Sequence, residues 1–202
     1  MHAGCDNGLM LVDPDVPAAP AFRISMVCTG NICRSPMAEV VMRSLVETAG
    51  LSDRVIVSSA GTGEWHVGEQ ADPRTLAALE ARGFDGSAHR ARQFEPESFD
   101  TLDLVVALDR SHARVLRSWA PDDEARQKVR LLLDFDPEYA GRHDVPDPYY
   151  SDAATFDSVL AMIEHSSGAL FRQLEPAFRL PLPDSAPSSA SAPTPAPAAE
   201  SR

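Results

Sequence analysis

Apolar residues fall into short runs that alternate with amphipathic stretches from about residue 22 to about residue 175. Phe22 to Val27 is a short apolar run, interrupted by Arg23 and Ser25, and it predicts a strand. In the next stretch Met37, Val40, Val41, Leu45 and Val46 recur at helical spacing, which predicts a helix from Pro36 to Thr48. Ser35 suits its N-cap, Pro36 its first position, Glu39 its positive end and Gly50 its exit. Arg54 to Ser59 is β-branched and reads as a second strand. Asp72-Pro73 opens a second helix that Gly83 ends. Leu102 to Leu108 is almost continuously apolar, as buried parallel strands are. A helix opened by Asp109 or Ser111 stops before Pro121, and Val129 to Leu133 makes a fourth strand. The last helix runs from Thr155 to about Leu174, with Phe156, Val159, Leu160, Ile163, Leu170 and Leu174 turned inward.

Strands alternating with helices predict an α/β fold, a three-layer sandwich with a central four-stranded parallel sheet flanked by helices. Residues 21–180 hold all of this and read as one domain. Residues 1–20 read as a disordered arm, and the Pro/Ala/Ser-rich residues 181–202 as a disordered tail with almost nothing to bury. In such folds ligands bind beyond the carboxyl ends of the strands, which directs attention to the segment after the first strand.

Composition narrows the chemistry. The net charge of −12 argues against nucleic acid and against anionic membrane surfaces, although it leaves room for a local basic pocket. Three cysteines in 202 residues do not make a secreted disulfide framework. The first residues have no basic start followed by an apolar run, so they do not read as a signal peptide, and Cys5 reads as a free thiol in the arm. No stretch is long enough to span a membrane, and a cytoplasmic, thiol-reducing location is expected.

The stretch VCTGNICRSP, Val27 to Pro36, joins the first strand to the first helix. A helix N-terminus offers unpaired N–H groups and a favourable dipole to an anion. Gly30 and Asn31 tolerate the left-handed backbone that turns successive N–H groups into an anion nest. Arg34 adds a planar fork for two phosphate oxygens, and the same positive environment suits a thiolate on Cys28. The segment thus offers a nucleophile and a cradle for a tetrahedral oxyanion, which is the equipment for a covalent phosphocysteine. A zinc site lacks a second ligand pair, a disulfide across this spacing stabilises little, and the GxxxxGK[ST] nucleotide loop is absent.

The stretch matches every fixed position of V-C-x-G-N-x-C-R-S-P and resembles the low-molecular-weight protein tyrosine phosphatases, most closely their bacterial, actinobacterial-type branch. The likeness extends through VSSAGTGEWHVG, HRARQF, VALDRSHARVL and DPYY. It implies phosphotyrosine hydrolysis in proteins without metal or cofactor, with inorganic phosphate as product. It implies that Cys28 is the nucleophile and Arg34 the phosphate clamp. Ser35 would hydrogen-bond the thiolate, and Asn31 would hold the loop with Ser59 and His89 behind it. Thr29, Gly30, Ile32 and Cys33 would lend N–H groups to the phosphate.

Loss of a phenolate calls for a proton donor, and HDVPDPYYSD offers Asp144, Asp147 and Asp152 without distinguishing them. The family places the acid first in Asp-Pro-Tyr-Tyr, which selects Asp147. Trp65, Tyr149 and Tyr150 would wall the cleft, deep enough to disfavour the shorter phosphoserine. Cys33 would protect Cys28 through a reversible disulfide. His66 receives no role, and His112, His143 and His165 are expected to face solvent. The expected partners are phosphotyrosine proteins, with no nucleic acid and no membrane, and the chain is expected to be a monomer. Two alternatives remain: a thiol-coupled arsenate reductase, for which Cys5 is the only further cysteine, and a non-catalytic phosphotyrosine-binding module.

Overall fold

The computed structural model describes residues 21–180, so the readings of residues 1–20 and 181–202 lie outside the described residues. Four parallel strands form one sheet in the order β2-β1-β3-β4: β1 (Phe22–Cys28), β2 (Val55–Gly61), β3 (Leu104–Ala107) and β4 (Val129–Leu131). Five helices accompany them: α1 (Arg34–Thr48), α2 (Pro73–Ala81), α3 (Arg110–Trp119), α4 (Asp123–Lys128) and α5 (Ala153–Phe178). The register runs from Phe22 opposite Val55 to Cys28 opposite Gly61 on one side of β1, and from Ile24 opposite Leu104 to Val27 opposite Ala107 on the other. The chain goes from β1 to β2 and then returns across β1 to β3. The carboxyl end of β1 is therefore where the direction of winding reverses, and there a cleft opens.

The alternation of side chains along each strand divides the core in two. Ile24, Met26 and Cys28 join Leu104, Val106 and Leu108 in the layer with α1 and α5. Val27, Val105 and Ala107 face the layer with α3 and α4. Phe156 at the start of α5 is completely buried in the first layer, and truncating a ring so placed costs about 3–5 kcal/mol.

Element boundaries differ from expectation where hydrogen bonds or capping overrule periodicity. The third strand is confined to Leu104–Ala107, although Leu102 and Leu108 beyond its ends are also buried. The fourth strand stops at Leu131, and Leu132–Phe135 coils into a 3₁₀ turn. Helix α4, five polar residues and a buried Ala125 capped by Asp122, has no apolar stripe and was not foreseen. Helix α5 starts two residues earlier, at Ala153 after the Asp152 cap, and continues to Phe178. Among the described residues no helix is long and apolar enough to cross a membrane.

The start of α1 is the consequential difference. The helix begins at Arg34, and Cys33 precedes it without capping it through its side chain. Ser35 is therefore not a cap but a residue of the first turn, fully buried and turned toward β1. A side-chain cap would occupy the position that an anion takes at a helix N-terminus; its absence leaves those N–H groups to the cleft. Glu39 falls past the first turn and is also buried, where it accepts hydrogen bonds from Ser59 Oγ at 2.5 Å and from Arg43.

Candidate active site

Between β1 and α1 the chain turns through Asn31, the one non-glycine residue with a positive φ, 55°, among the described residues. Its side chain supports the turn on all sides. Nδ2 donates to Ser35 Oγ and to Ser59 Oγ, both at 2.8 Å, and Oδ1 accepts from the Arg92 N–H at 2.9 Å. The Asn31 carbonyl meets His89 Nε2 at 2.8 Å. Neighbouring carbonyls are likewise drawn outward: Cys28 to the Thr62 N–H, Thr29 to that of Gly63, Ile32 to that of Asp72. With the oxygens held outside, the N–H groups of the turn are the ones left to face an anion. Gly61 makes this packing possible, because a Cβ there would lie 2.6 Å from the Thr29 carbonyl oxygen.

An amide nitrogen can only donate, so Ser35 Oγ must accept from Asn31 and keeps its own hydrogen for another partner. Cys28 Sγ lies 3.0 Å away, nearer than the Ala60 carbonyl at 3.3 Å. The same logic makes Ser59 a donor to Glu39. Burial would raise the Glu39 pKa, but hydrogen bonds from His89 and Ser59 and the Arg43 charge hold it below the ordinary carboxylate value.

Arg34 is only 4% exposed at its side chain, yet three groups satisfy it. Nη1 donates to Asp109 at 2.9 Å and to the Val145 carbonyl at 3.2 Å, and Nη2 donates to Asp147 at 2.8 Å. Of the three candidate acids, Asp144 is held by the Arg110 N–H and guanidinium, and Asp152 caps α5. Asp147 alone of the three lines the cleft, with its side chain 52% exposed. The cleft has a volume of about 220 Å³. The turn between β1 and α1 forms its floor, and Trp65, His66, Tyr149 and Tyr150 form its walls.

Sequence reasoning missed Asp109 as a partner of Arg34 and misplaced His112. Asp109 caps α3 by accepting from the His112 N–H, and one carboxylate serves helix and arginine together. His112 was expected to face solvent and is instead 2% exposed, with Nε2 2.8 Å from Thr29 Oγ1. Burial, reinforced by the Arg34 charge and opposed by Asp109, pushes its pKa down to about 4, so the ring is neutral near pH 7. Its spacing from Leu116, one helical turn on, was the available signal that it shares the inner face. His143 and His165 are exposed, paired with Asp134 and Asp136. His66 also emerges as a wall of the cleft, 6.4 Å from the Tyr149 ring between centroids. Cys33 is buried and its thiol is pushed up to about 12, by burial and then by the nearby Asp72 carboxylate.

A profile of the family described as "Low molecular weight phosphotyrosine protein phosphatase" matches residues 23–179. The chain belongs to this family. Its activity is that of a protein tyrosine phosphatase, and its fold is the family's fold. A low molecular weight protein-tyrosine-phosphatase of Streptomyces coelicolor is 55% identical over 150 residues, covering 74% of this chain and 91% of that protein. Low molecular weight protein-tyrosine phosphatase A of Mycobacterium tuberculosis is 49% identical, covering 71% and 85%. These relatives support the actinobacterial-type resemblance. Among solved structures, the protein tyrosine phosphatase of Entamoeba histolytica superposes with a TM-score of 0.73 at 32% identity, covering 78% of this chain and 99% of that one. A Cys-to-Ser variant of YwlE arginine phosphatase, a Bacillus subtilis protein, carries a phosphorylated active-site serine. It superposes with a TM-score of 0.68 at 31% identity, covering 76% and 96%.

Proposed function

We propose that this phosphatase hydrolyses phosphotyrosine in proteins in two displacements at Cys28, with Asp147 moving the proton in both. The observation that carries the reading is the convergence of a buried cysteine, a buried arginine and a cleft-facing carboxylate on one anion nest. In the first step the Cys28 thiolate attacks phosphorus, the P–O bond to the ring breaks, and the protonated Asp147 gives its proton to the departing phenolate. Arg34 forks onto two phosphoryl oxygens, and the loop N–H groups from Thr29 to Ser35 spread the remaining charge. In the second step the Asp147 carboxylate takes a proton from water, whose oxygen attacks phosphorus. The S–P bond breaks, and Ser35 donates to the leaving sulfur.

The walls fit an aryl group. Trp65 and Tyr149 offer flat apolar faces, and Ile32 extends the apolar lining toward the loop. Ser59 and His89 act behind Asn31, holding the turn rather than touching substrate.

Under reductant, the protein should hydrolyse p-nitrophenyl phosphate and a phosphotyrosine peptide, and Cys28→Ser should abolish both that turnover and formation of labelled phosphocysteine. Asp147→Ala should lower turnover of a phenolic ester about 10²- to 10⁴-fold and bind phosphate at least as tightly as the parent. Because one structural relative is an arginine phosphatase, the same assay includes a phosphoarginine peptide. Faster turnover of that peptide than of phosphotyrosine would overturn the substrate assignment.

A further inference from the structure

The segment that carries Asp147 is neither helix nor strand from Arg142 to Pro148, and its position is set from outside. Upstream, Asp144 accepts from Arg110, and the Val145 N–H donates to the Leu108 carbonyl at 2.9 Å. Downstream, the carbonyls of Tyr149 and Ser151 accept from Arg74, at 3.0 Å from Nη2 and 2.9 Å from Nη1. Tyr149 also donates its own N–H to Asp147 Oδ1 at 3.1 Å, so the acid and the Arg74 contact share one residue.

Arg74 lies in the first turn of α2, and its position is itself determined. Nε and Nη2 fork onto the two oxygens of Asp72 at 3.0 and 2.7 Å, while the guanidinium lies 4.4 Å over the ring of Phe156. Asp72 caps α2, and its N–H donates to the Ile32 carbonyl at 2.8 Å. A continuous line of bonds thus leads from the phosphate loop at Ile32, through Asp72 and Arg74, to the two carbonyls just beyond Asp147.

We propose that Arg74 is a positioning residue for this reaction, a strap that sets the height of Asp147 above the phosphate loop. The inference rests on the reading of Asp147 as the proton donor. The geometry demands arginine. Four donor contacts in one plane reach a carboxylate on one side and two carbonyls on the other, and a lysine ammonium is a point charge that cannot span them. An ion pair whose arginine is 37% exposed adds little to global stability. Its effect is instead local, because a displacement of about 1 Å at a reacting group costs up to about 100-fold in rate.

The test compares phenyl phosphate, whose leaving group needs a proton, with p-nitrophenyl phosphate, whose leaving group needs it less. The variants are Arg74→Ala, Arg74→Lys, Asp147→Ala and the Arg74→Ala/Asp147→Ala double variant, each checked for folding by circular dichroism. Arg74→Lys keeps an aliphatic stem over Phe156 and serves if the alanine variant does not fold. We expect kcat/KM of Arg74→Ala to fall about tenfold for phenyl phosphate and by no more than about threefold for p-nitrophenyl phosphate. Arg74→Lys should behave like Arg74→Ala. Inhibition by inorganic phosphate should stay unchanged in both, and the double variant should be no slower than Asp147→Ala alone. Equal losses on the two substrates, full rescue by lysine, or an additive double variant would overturn the proposal. If Asp147→Ala itself shows no steeper loss on phenyl phosphate, the acid assignment and the strap fall together. If it does and Arg74→Ala does not, only the strap falls.

Discussion

Replacing Asn31 tests whether its amide holds the phosphate loop. The side chain is fully buried and makes three hydrogen bonds, to Ser35, to Ser59 and from the Arg92 N–H. At a net value of about 1 kcal/mol each, their loss costs about 3 kcal/mol. Alanine adds a backbone penalty of about 1–2 kcal/mol, since φ is 55°. Asn31→Ala should therefore lose about 4–5 kcal/mol, a large part of the 5–15 kcal/mol typical of a domain. Asn31→Gly loses the same bonds without the backbone penalty, while its freer unfolded chain costs about 0.5–1 kcal/mol. Glycine should thus be the more stable of the two by about 0.5–1 kcal/mol, the reverse of the usual order. Urea unfolding followed by circular dichroism measures both, with unchanged m-values confirming comparable transitions. An alanine variant as stable as the glycine variant, or a loss below about 1.5 kcal/mol for either, would refute this account of the turn.

Two further predictions concern the neighbours of the loop. Gly61→Ala places a methyl group 2.6 Å from the Thr29 carbonyl oxygen and should lower kcat/KM for aryl phosphates more than about tenfold while the chain still folds. Unchanged kinetics would show that the loop yields there without consequence. His112 provides the pH dependence. Its folded pKa of about 4 lies below the ordinary histidine value of about 6.5, so between those values the unfolded chain binds the extra proton and stability is lost as the pH falls. The loss, on the order of 3 kcal/mol, should be complete near pH 4 and should shrink in His112→Asn, as urea midpoints across pH 4–7.5 would reveal.

The strands, the longer helices and the loop between β1 and α1 were legible because each long element carries a run or a period of apolar residues, although Ser-Pro placed the start of α1 two residues late. Helix α4 was not, because six residues held by an Asp122 cap, with Ala125 their one apolar member, carry no periodic signal. Ser35 reads as a cap by residue type; the family resemblance implied its bond to the thiolate, and the three-dimensional turn sets its hydroxyl 3.0 Å from Cys28 Sγ. His112 looked solvent-facing because histidine tolerates both environments, and its burial depends on the Thr29 hydroxyl 83 residues earlier. The site was legible in unequal parts. Cys28 and Arg34 follow from strand, loop and helix. Asp147 did not follow from residues alone, because three aspartates in an aperiodic segment are equivalent until Arg110 and the α5 cap claim two of them. Asp109, Arg74 and Glu39 bridge elements distant in sequence, where no local pattern announces them.

The pairing of Arg34 with Asp147 has a consequence for how the enzyme meets its ligands. Before an anion arrives, the enzyme's own carboxylate occupies one arm of the guanidinium and acts as an internal competitor. With Arg34 in its proposed role as the phosphate clamp, every phosphate group, on substrate or product, would first have to dislodge it. The arrangement weakens the hold on free phosphate, helping the product to leave. An ester whose ring packs against the cleft's aromatic walls would gain binding energy that phosphate alone lacks. The ion pair would set a threshold that substrate and product must both pass, and the aromatic walls would decide which passes it more readily.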